Sequence, residues 1–366
     1  MRATDETDRC EALARDLHAH PELSLQEHHA ASECIGLLRE WGFAVDKAVA
    51  GLPTAFTATR RLGTGSGPTV GLVAEYDALP GVGHGCGHHL MAGGVLEAAA
   101  RLASEPVDGT LVVFGTPAEE TGVGKVVMHE AGVFDPIDVA LAYHPSDQDA
   151  VWGRNNGTVL FDMVFEGRSS HAGSRPWDGR SAQDGVETML HGLALERQYH
   201  RDGCRIHAIV QEVHGAHNVL PDQARAAVNV RAPEVGSLDA LATRAEQIAR
   251  AAAEMTATSV TVRTHERLLP FRADLALAEL AWQEMGLPAG TFYNFGGSSD
   301  LGNVSHDVRT VCITTGGWPP VTWHSRELHE ATGMDVAYES MHRAATALTA
   351  IGRRIFSEGL PLEVSA

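Results

Sequence analysis

Three short apolar runs, at 69–74, 110–115 and 138–143, separated by helical patterns, constrain this chain more than any other feature. Each run is compact, is bounded by turn signals and is short for a buried helix, so each reads as a fully buried strand. Between them, 90–102 and a stretch near 123–131 read as helices. Alternating strands and helices predict an α/β fold, a mainly parallel sheet with helices on both faces. Upstream, a helix is expected over 4–18, and Ser24-Leu25-Gln26-Glu27 has the form of a capping box that would open a second helix carrying Ile35, Leu38 and Trp41 on its apolar face. Short strands near 44–46 and 54–60 and a turn over 63–68 complete this part.

Near 157 the order of elements changes. Strand 158–166, helix 180–198, strands 206–214 and 223–231, helix 237–255 and strand 258–265 give β-α-β-β-α-β, the ferredoxin-like order. This is a complete unit, so 157–267 is expected to be an inserted α+β domain. Helix 273–286, strand 310–314 and helix 334–356 then resume the first style, making 1–156 and 268–366 one discontinuous domain. A length of 366 residues also favours two cores over one.

Bulk properties remove some classes of function. A net charge of −19 argues against nucleic acid or an anionic membrane as partner, since both demand a basic face. No apolar run of transmembrane length is present, and the polar start of the chain lacks the apolar core of a secretory signal. Five scattered cysteines make no disulfide framework and point to a reducing, cytoplasmic setting. Cys10, Cys34, Cys204 and Cys312 read as buried small apolar residues, whereas Cys86 lies in a glycine-rich loop.

In open α/β sheets, sites form beyond the carboxyl ends of strands. Here strand 69–74 leads to Asp77 and then Cys86-Gly87-His88-His89, strand 110–115 leads to Glu119-Glu120, and strand 138–143 leads to His144. His324 follows strand 310–314 in a loop after Trp318-Pro319-Pro320. Each signal alone is weak: Cys-x-His is not a structural zinc spacing, adjacent glutamates are usually a solvated pair, and a lone histidine is more often core or surface than ligand. Their convergence on one sheet edge gives them weight. Glycines at 81, 83, 85 and 87 would let Cys86 and His88 approach an ion closely. Side chains at successive positions diverge, so Glu119 and Glu120 are expected to have different jobs, one holding metal and the other standing over water as a base.

The string Glu75-Tyr76-Asp77-Ala78-Leu79-Pro80, followed by Gly85-Cys86-Gly87-His88, resembles the di-metal amidohydrolase family of aminoacylases, hippurate hydrolases, auxin-conjugate hydrolases and p-aminobenzoyl-glutamate hydrolase. Further motifs match in order: His18-Ala19-His20-Pro21-Glu22, Pro117-Ala118-Glu119-Glu120, Ser170-His171-Ala172, Asn218-Val219-Leu220-Pro221-Asp222 and His324-Ser325. The short loop Leu79–His84 and the segment 297–305 are most similar to the p-aminobenzoyl-glutamate hydrolase and β-alanyl-lysine dipeptidase branch. The resemblance implies two divalent ions, zinc, manganese or cobalt, with Cys86 as bridging ligand and His88, Glu120, His144 and His324 completing the site. It implies Glu119 as general base, and Asp77 as the carboxylate that orients a ligand. His171 and Asn218, on the inserted domain, would polarise the substrate carbonyl or stabilise the oxyanion. That domain would serve as lid and dimerisation domain of a homodimer, so His171 would arrive by domain closure or from a partner subunit. The family usually has Asp or Asn after Cys-Gly-His, and His89 stands there instead, as a replacement orienting group, an extra ligand or a specificity change.

The function expected is metal-dependent hydrolysis of an amide bond in a small N-acyl amino acid or dipeptide-like substrate. Hydrolytic deamination or deacetylation of another small molecule on the same site is the alternative within enzymology. A non-catalytic metal- or peptide-binding relative is the alternative outside it, and it would be expected to have lost the base or a ligand.

Overall fold

The computed structural model describes residues 3–362. In chain order its elements are α1 (Ala3–Ala19), α2 (His28–Glu40), β1 (Ala44–Lys47), β2 (Phe56–Leu62), β3 (Thr69–Glu75), α3 (His88–Ala103), β4 (Gly109–Thr116), α4 (Gly124–Glu130), β5 (Val139–Tyr143) and β6 (Ala150–Trp152). There follow β7 (Gly157–Glu166), α5 (Ala182–Glu196), β8 (Arg205–Ala216), β9 (Val219–Ala232), α6 (Val235–Thr256) and β10 (Ser259–Leu268). The chain closes with α7 (Leu275–Met285), β11 (Phe292–Tyr293), α8 (Leu301–Val304), β12 (Arg309–Thr314), α9 (Arg326–Thr332) and α10 (Asp335–Glu358).

Contacts divide the chain into two compact units. The first comprises the described residues up to Arg154, Phe271–Asn294 and the described residues from Asp300 onward; the second comprises Asn155–Pro270 and Phe295–Ser299.

The first unit is built on an eight-stranded sheet in the order β1-β2-β4-β3-β5-β12-β6-β11. Its centre, β4-β3-β5-β12, is parallel throughout. β3 is buried at every position from 70 to 75, and β5 at all five of its positions. Burial at successive positions means both faces are covered, which is why these strands read as unbroken apolar runs rather than alternating ones. α3 is buried along almost its whole length and packs against β3, α1 and α10. A helix apolar all round belongs in a core. Since β4, β3, β5 and β12 are parallel neighbours, the loops after them leave from one edge of the sheet.

The second unit is a four-stranded antiparallel sheet, β10-β7-β9-β8, with α5 and α6 packed on it. Element order and strand order are those of a ferredoxin-like unit. β7 alternates between buried and partly exposed residues after its first two positions, so Val159, Phe161, Met163 and Phe165 form one apolar face under the helices.

Several local expectations fail for physical reasons. Ser24 does not cap α2; its hydroxyl donates to Asp77 Oδ2 at 2.9 Å, and α2 begins only at His28. Glu27, the last residue of the supposed capping box, turns inward and is fully buried. Its carboxylate accepts from Thr54 Oγ1 at 2.7 Å, Leu25 N at 2.8 Å and Ala118 N at 2.9 Å. The helix expected over 180–198 is shorter, since Ser181 caps it by accepting from Asp184 N and regular helix stops at Glu196. Cys204 is only partly buried, unlike Cys10, Cys34 and Cys312. No helix among the described residues is long and apolar enough to cross a membrane.

Candidate metal centre

The parallel strands deliver their loops to one place, and there six side chains form two donor groups. Glu75, His88 and His144 each offer one ligand atom, and these atoms all lie within 4.8 Å of one another. Cys86, Glu120 and His324 do the same within the same limit. The five residues expected as ligands are therefore divided between the groups, and Glu75, to which the sequence pattern gives no role, is added to them.

Asp77 organises the centre. His88 Nδ1 lies 2.9 Å from Asp77 Oδ1 and 3.1 Å from the Asp77 carbonyl oxygen. Both partners are acceptors only, so Nδ1 carries a proton, and in the neutral ring Nε2 presents its lone pair. The other carboxylate oxygen of Asp77 accepts from Ser24 Oγ at 2.9 Å and from Glu120 N at 3.0 Å. One buried carboxylate thus sets the ring of His88 and the backbone at Glu120. His144 is fixed likewise: its Nδ1 donates to the Pro145 carbonyl at 2.9 Å, leaving Nε2 free. Burial, helped by the charge of His88, lowers its pKa to about 4, so the ring is neutral near pH 7.

Backbone strain shapes both loops. Gly87 precedes α3 with φ of +80°, and a Cβ there would stand 2.8 Å from Pro145 Cγ. Only glycine fits between Cys86 and His88 without displacing Pro145. Ala118 has φ of +59° without being glycine, in the turn that presents Glu119 and Glu120, and Glu27 holds its N–H.

Electrostatically the centre is overloaded with negative charge. Burial raises the Cys86 thiol well above its usual range, and Glu120 and Glu119 raise it further. Burial likewise raises Glu119, with Glu75 adding to it, and raises Glu120. His88 is the exception: burial opposes its charged form, but the Asp77 hydrogen bond and the charges of Asp77 and Glu75 outweigh that. Buried atoms of His88 (Nε2), Glu75 (Oε2) and Glu120 (Oε1) have no hydrogen-bond partner. Unpaired buried acceptors are costly, and a divalent cation would satisfy them and favour the thiolate. The N, O and S donors suit zinc, manganese or cobalt alike.

Glu119 belongs to neither group. Its Oε2 lies 3.8 Å from His88 Nε2, and its side chain keeps 12% exposure. Glu120 instead reaches His324, with Oε2 3.8 Å from Nε2. The adjacent glutamates therefore face different neighbours.

His89 lies outside both groups. It packs among the rings of His84 and His18, with centroids 4.6 and 4.8 Å away, and donates from Nε2 to the Thr332 carbonyl at 3.1 Å. In the second unit, His171 and Asn218 are exposed, and they are held together by a hydrogen bond from Ala172 N to the Asn218 carbonyl at 2.9 Å. His171 Nδ1 accepts from Gly173 N and Ser174 N, both at 3.1 Å.

The family model for peptidase family M20/M25/M40 matches residues 71–350. The chain belongs to that family. Among M20 relatives it is 32% identical over 370 residues to the Xaa-Arg dipeptidase of Homo sapiens, covering 93% of this chain and 84% of that protein. It is 31% identical over 299 residues to a p-aminobenzoyl-glutamate hydrolase chain of Escherichia coli K12, covering 75% of this chain and 61% of that protein. A solved Bacillus subtilis structure, described as a dinuclear metal binding peptidase from the M20 family, shares the fold with a TM-score of 0.72 at 21% identity, covering 95% of this chain and 99% of that one. As an M20 member the protein is a metal-dependent amidohydrolase of small substrates.

Proposed function

We propose that the protein cleaves the amide bond of a dipeptide or N-acyl amino acid, using two divalent ions held by Cys86, His88, Glu120, His144 and His324. The observation that carries this reading is the pair of three-donor groups, built from neighbouring strand ends and containing buried acceptor atoms without partners. Ions bound there would supply Lewis acidity, making water more acidic and polarising the scissile carbonyl.

The protein's own residues do the rest. Cys86, beside Glu120, would serve as a ligand shared by the two ions. Asp77 orients His88 and steadies the turn at Glu120. Glu119 is the general base: its carboxylate takes a proton from the attacking water and returns it to the leaving nitrogen. Its raised pKa brings it nearer the working range of such a base. The motif match supports His171 and Asn218 as carbonyl-binding groups contributed by the 157–267 domain, with that domain acting as lid and as the dimerisation element of a homodimer. The scattered free cysteines support a cytoplasmic protein.

Dipeptides ending in a basic residue are the first substrates to test, because the human relative is named for Xaa-Arg dipeptides. A panel of such dipeptides, p-aminobenzoyl-glutamate and N-acetyl amino acids, assayed for released amine with protein reconstituted in zinc, manganese or cobalt, decides the reading. Turnover of one class that is lost on chelation is expected; a fully loaded protein inert on the whole panel overturns it.

A further inference from the structure

Behind the Glu75–His88–His144 group lies a buried ion network that the mechanism above does not use. Lys125 Nζ stands 2.8 Å from Glu75 Oε1 and 2.5 Å from Asp300 Oδ1, and the second oxygen of Asp300 accepts Lys125 N at 2.8 Å. Lys125 and Asp300 have no side-chain exposure and Glu75 only 3%. Three charged side chains this deep are costly unless each is paired. Lys125 and Asp300 are paired on every side the structure shows. Glu75 is not: Oε1 is taken by the ammonium, but Oε2 has no hydrogen-bond partner and faces His88 Nε2 at 3.3 Å, itself without one.

We propose that Glu75 is itself a metal ligand, binding through Oε2 at one ion position with His88 and His144, and that Lys125 and Asp300 hold it there. The inference rests on the two-ion reading and adds to it a ligand and its support. Glu75 and Asp77 are two residues apart at the end of β3, and they bracket one imidazole: Asp77 holds the protonated Nδ1, while Glu75 faces Nε2. When the ring is neutral, with its proton on Nδ1, two lone pairs point at each other across 3.3 Å, an arrangement that a cation between them relieves. Lys125 saturates Oε1, so Glu75 can offer a single oxygen, and the ammonium offsets one of the two buried carboxylates. A carboxylate–ammonium–carboxylate chain of this kind fixes the ligand's orientation as outer partners of metal ligands do. The competing possibility is a purely structural ion cluster in which His88 is cationic and pairs with Glu75.

The test is the metal affinity of Glu75→Gln against wild type, both stripped by chelation and titrated with zinc by calorimetry and with cobalt by absorption. Glu75→Gln is expected to bind one of the two ions at least about tenfold more weakly, while the thiolate-to-cobalt band from Cys86 persists. Asp300→Asn is expected to weaken the same ion by less. Two ions bound by Glu75→Gln with wild-type affinity overturn the proposal, as a structural cluster would lose thermal stability but not metal. A wild-type protein that binds fewer than two ions, or gives no thiolate band, instead overturns the two-ion reading itself. Should Glu75→Gln not fold, a crystal structure of zinc-loaded wild type decides: Glu75 Oε2 at about 2.0–2.2 Å from zinc supports the assignment, and a clearly longer separation overturns it.

Discussion

The two donor groups differ in how they are supported. In the Glu75–His88–His144 group each side chain is tied at its far atom, Glu75 to Lys125, His88 to Asp77 and His144 to the Pro145 carbonyl. In the Cys86–Glu120–His324 group, His324 is 59% exposed, sits in a loop with φ of +60°, and is attached through its backbone to the Gly85 carbonyl at 3.3 Å. The first group is braced before any ion arrives; the second has one exposed wall. Pre-organisation of this kind removes a cost from binding, so the braced position should hold its ion more tightly.

The largest effect expected concerns Glu119, which belongs to neither group. Glu119→Gln keeps the shape of the side chain and should keep metal content, yet lower turnover by at least about a hundredfold. Metal analysis and steady-state kinetics on one preparation check this. Glu120→Gln should lose metal first and regain part of its activity in excess metal. If excess metal rescues Glu119→Gln instead, the two roles are exchanged.

Cys86→Ser comes next. A bridging ligand serves both ions, so occupancy of the braced and the open position should fall together. Elemental analysis that finds full metal content in this variant removes Cys86 as the bridge. Asp77→Asn sharpens the comparison by loosening the brace on His88, with an expected loss of about ten- to a hundredfold in affinity for one ion. His324→Ala should weaken the other ion, and calorimetric titration of both variants shows whether two different binding steps respond.

Acid should act on the histidine cluster behind the loop. Burial, with the charges of His88 and His18, pushes the His84 pKa down to about 3 from an ordinary value near 6.5. The unfolded chain therefore binds the proton more readily than the folded one within that interval. The stability contributed by neutral His84 is complete above about pH 6.5 and is lost as pH falls toward about 3. Thermal melts of chelated protein across that range should fall on acidification, and less so in His84→Gln. Ser24→Ala should have the smallest effect. It removes one hydrogen bond to Asp77, worth about 0.5–1.5 kcal/mol of stability by denaturant melts, with the same oxygen still held by Glu120 N.

Much of this fold is legible in the order of residues. The apolar runs that become β3, β4 and β5 carry enough buried surface to declare themselves strands, and their parallel pairing follows from the helices between them. β6 and β11, of three and two residues, have too little pattern to detect, and they exist because β12 and its neighbours offer them partners. Ser24 and Glu27 mislead for the opposite reason. They satisfy a local capping rule, but Asp77 and Ala118, distant in sequence, make better partners for them.

By itself, then, the order of residues determined the alternation of elements and the switch to β-α-β-β-α-β near 157, and it marked candidate donors in the loops after the strands, because burial and local geometry write these into neighbouring positions. Tertiary structure alone decided that Glu75 joins His88 and His144 while Cys86 joins Glu120 and His324, that His89 turns away into an imidazole cluster, and that Lys125 is buried as a counter-ion. A lysine or glutamate reads as surface in any sequence window. Only contacts between residues 75, 125 and 300, brought together by the packing of β3, α4 and the start of α8, make its burial tolerable.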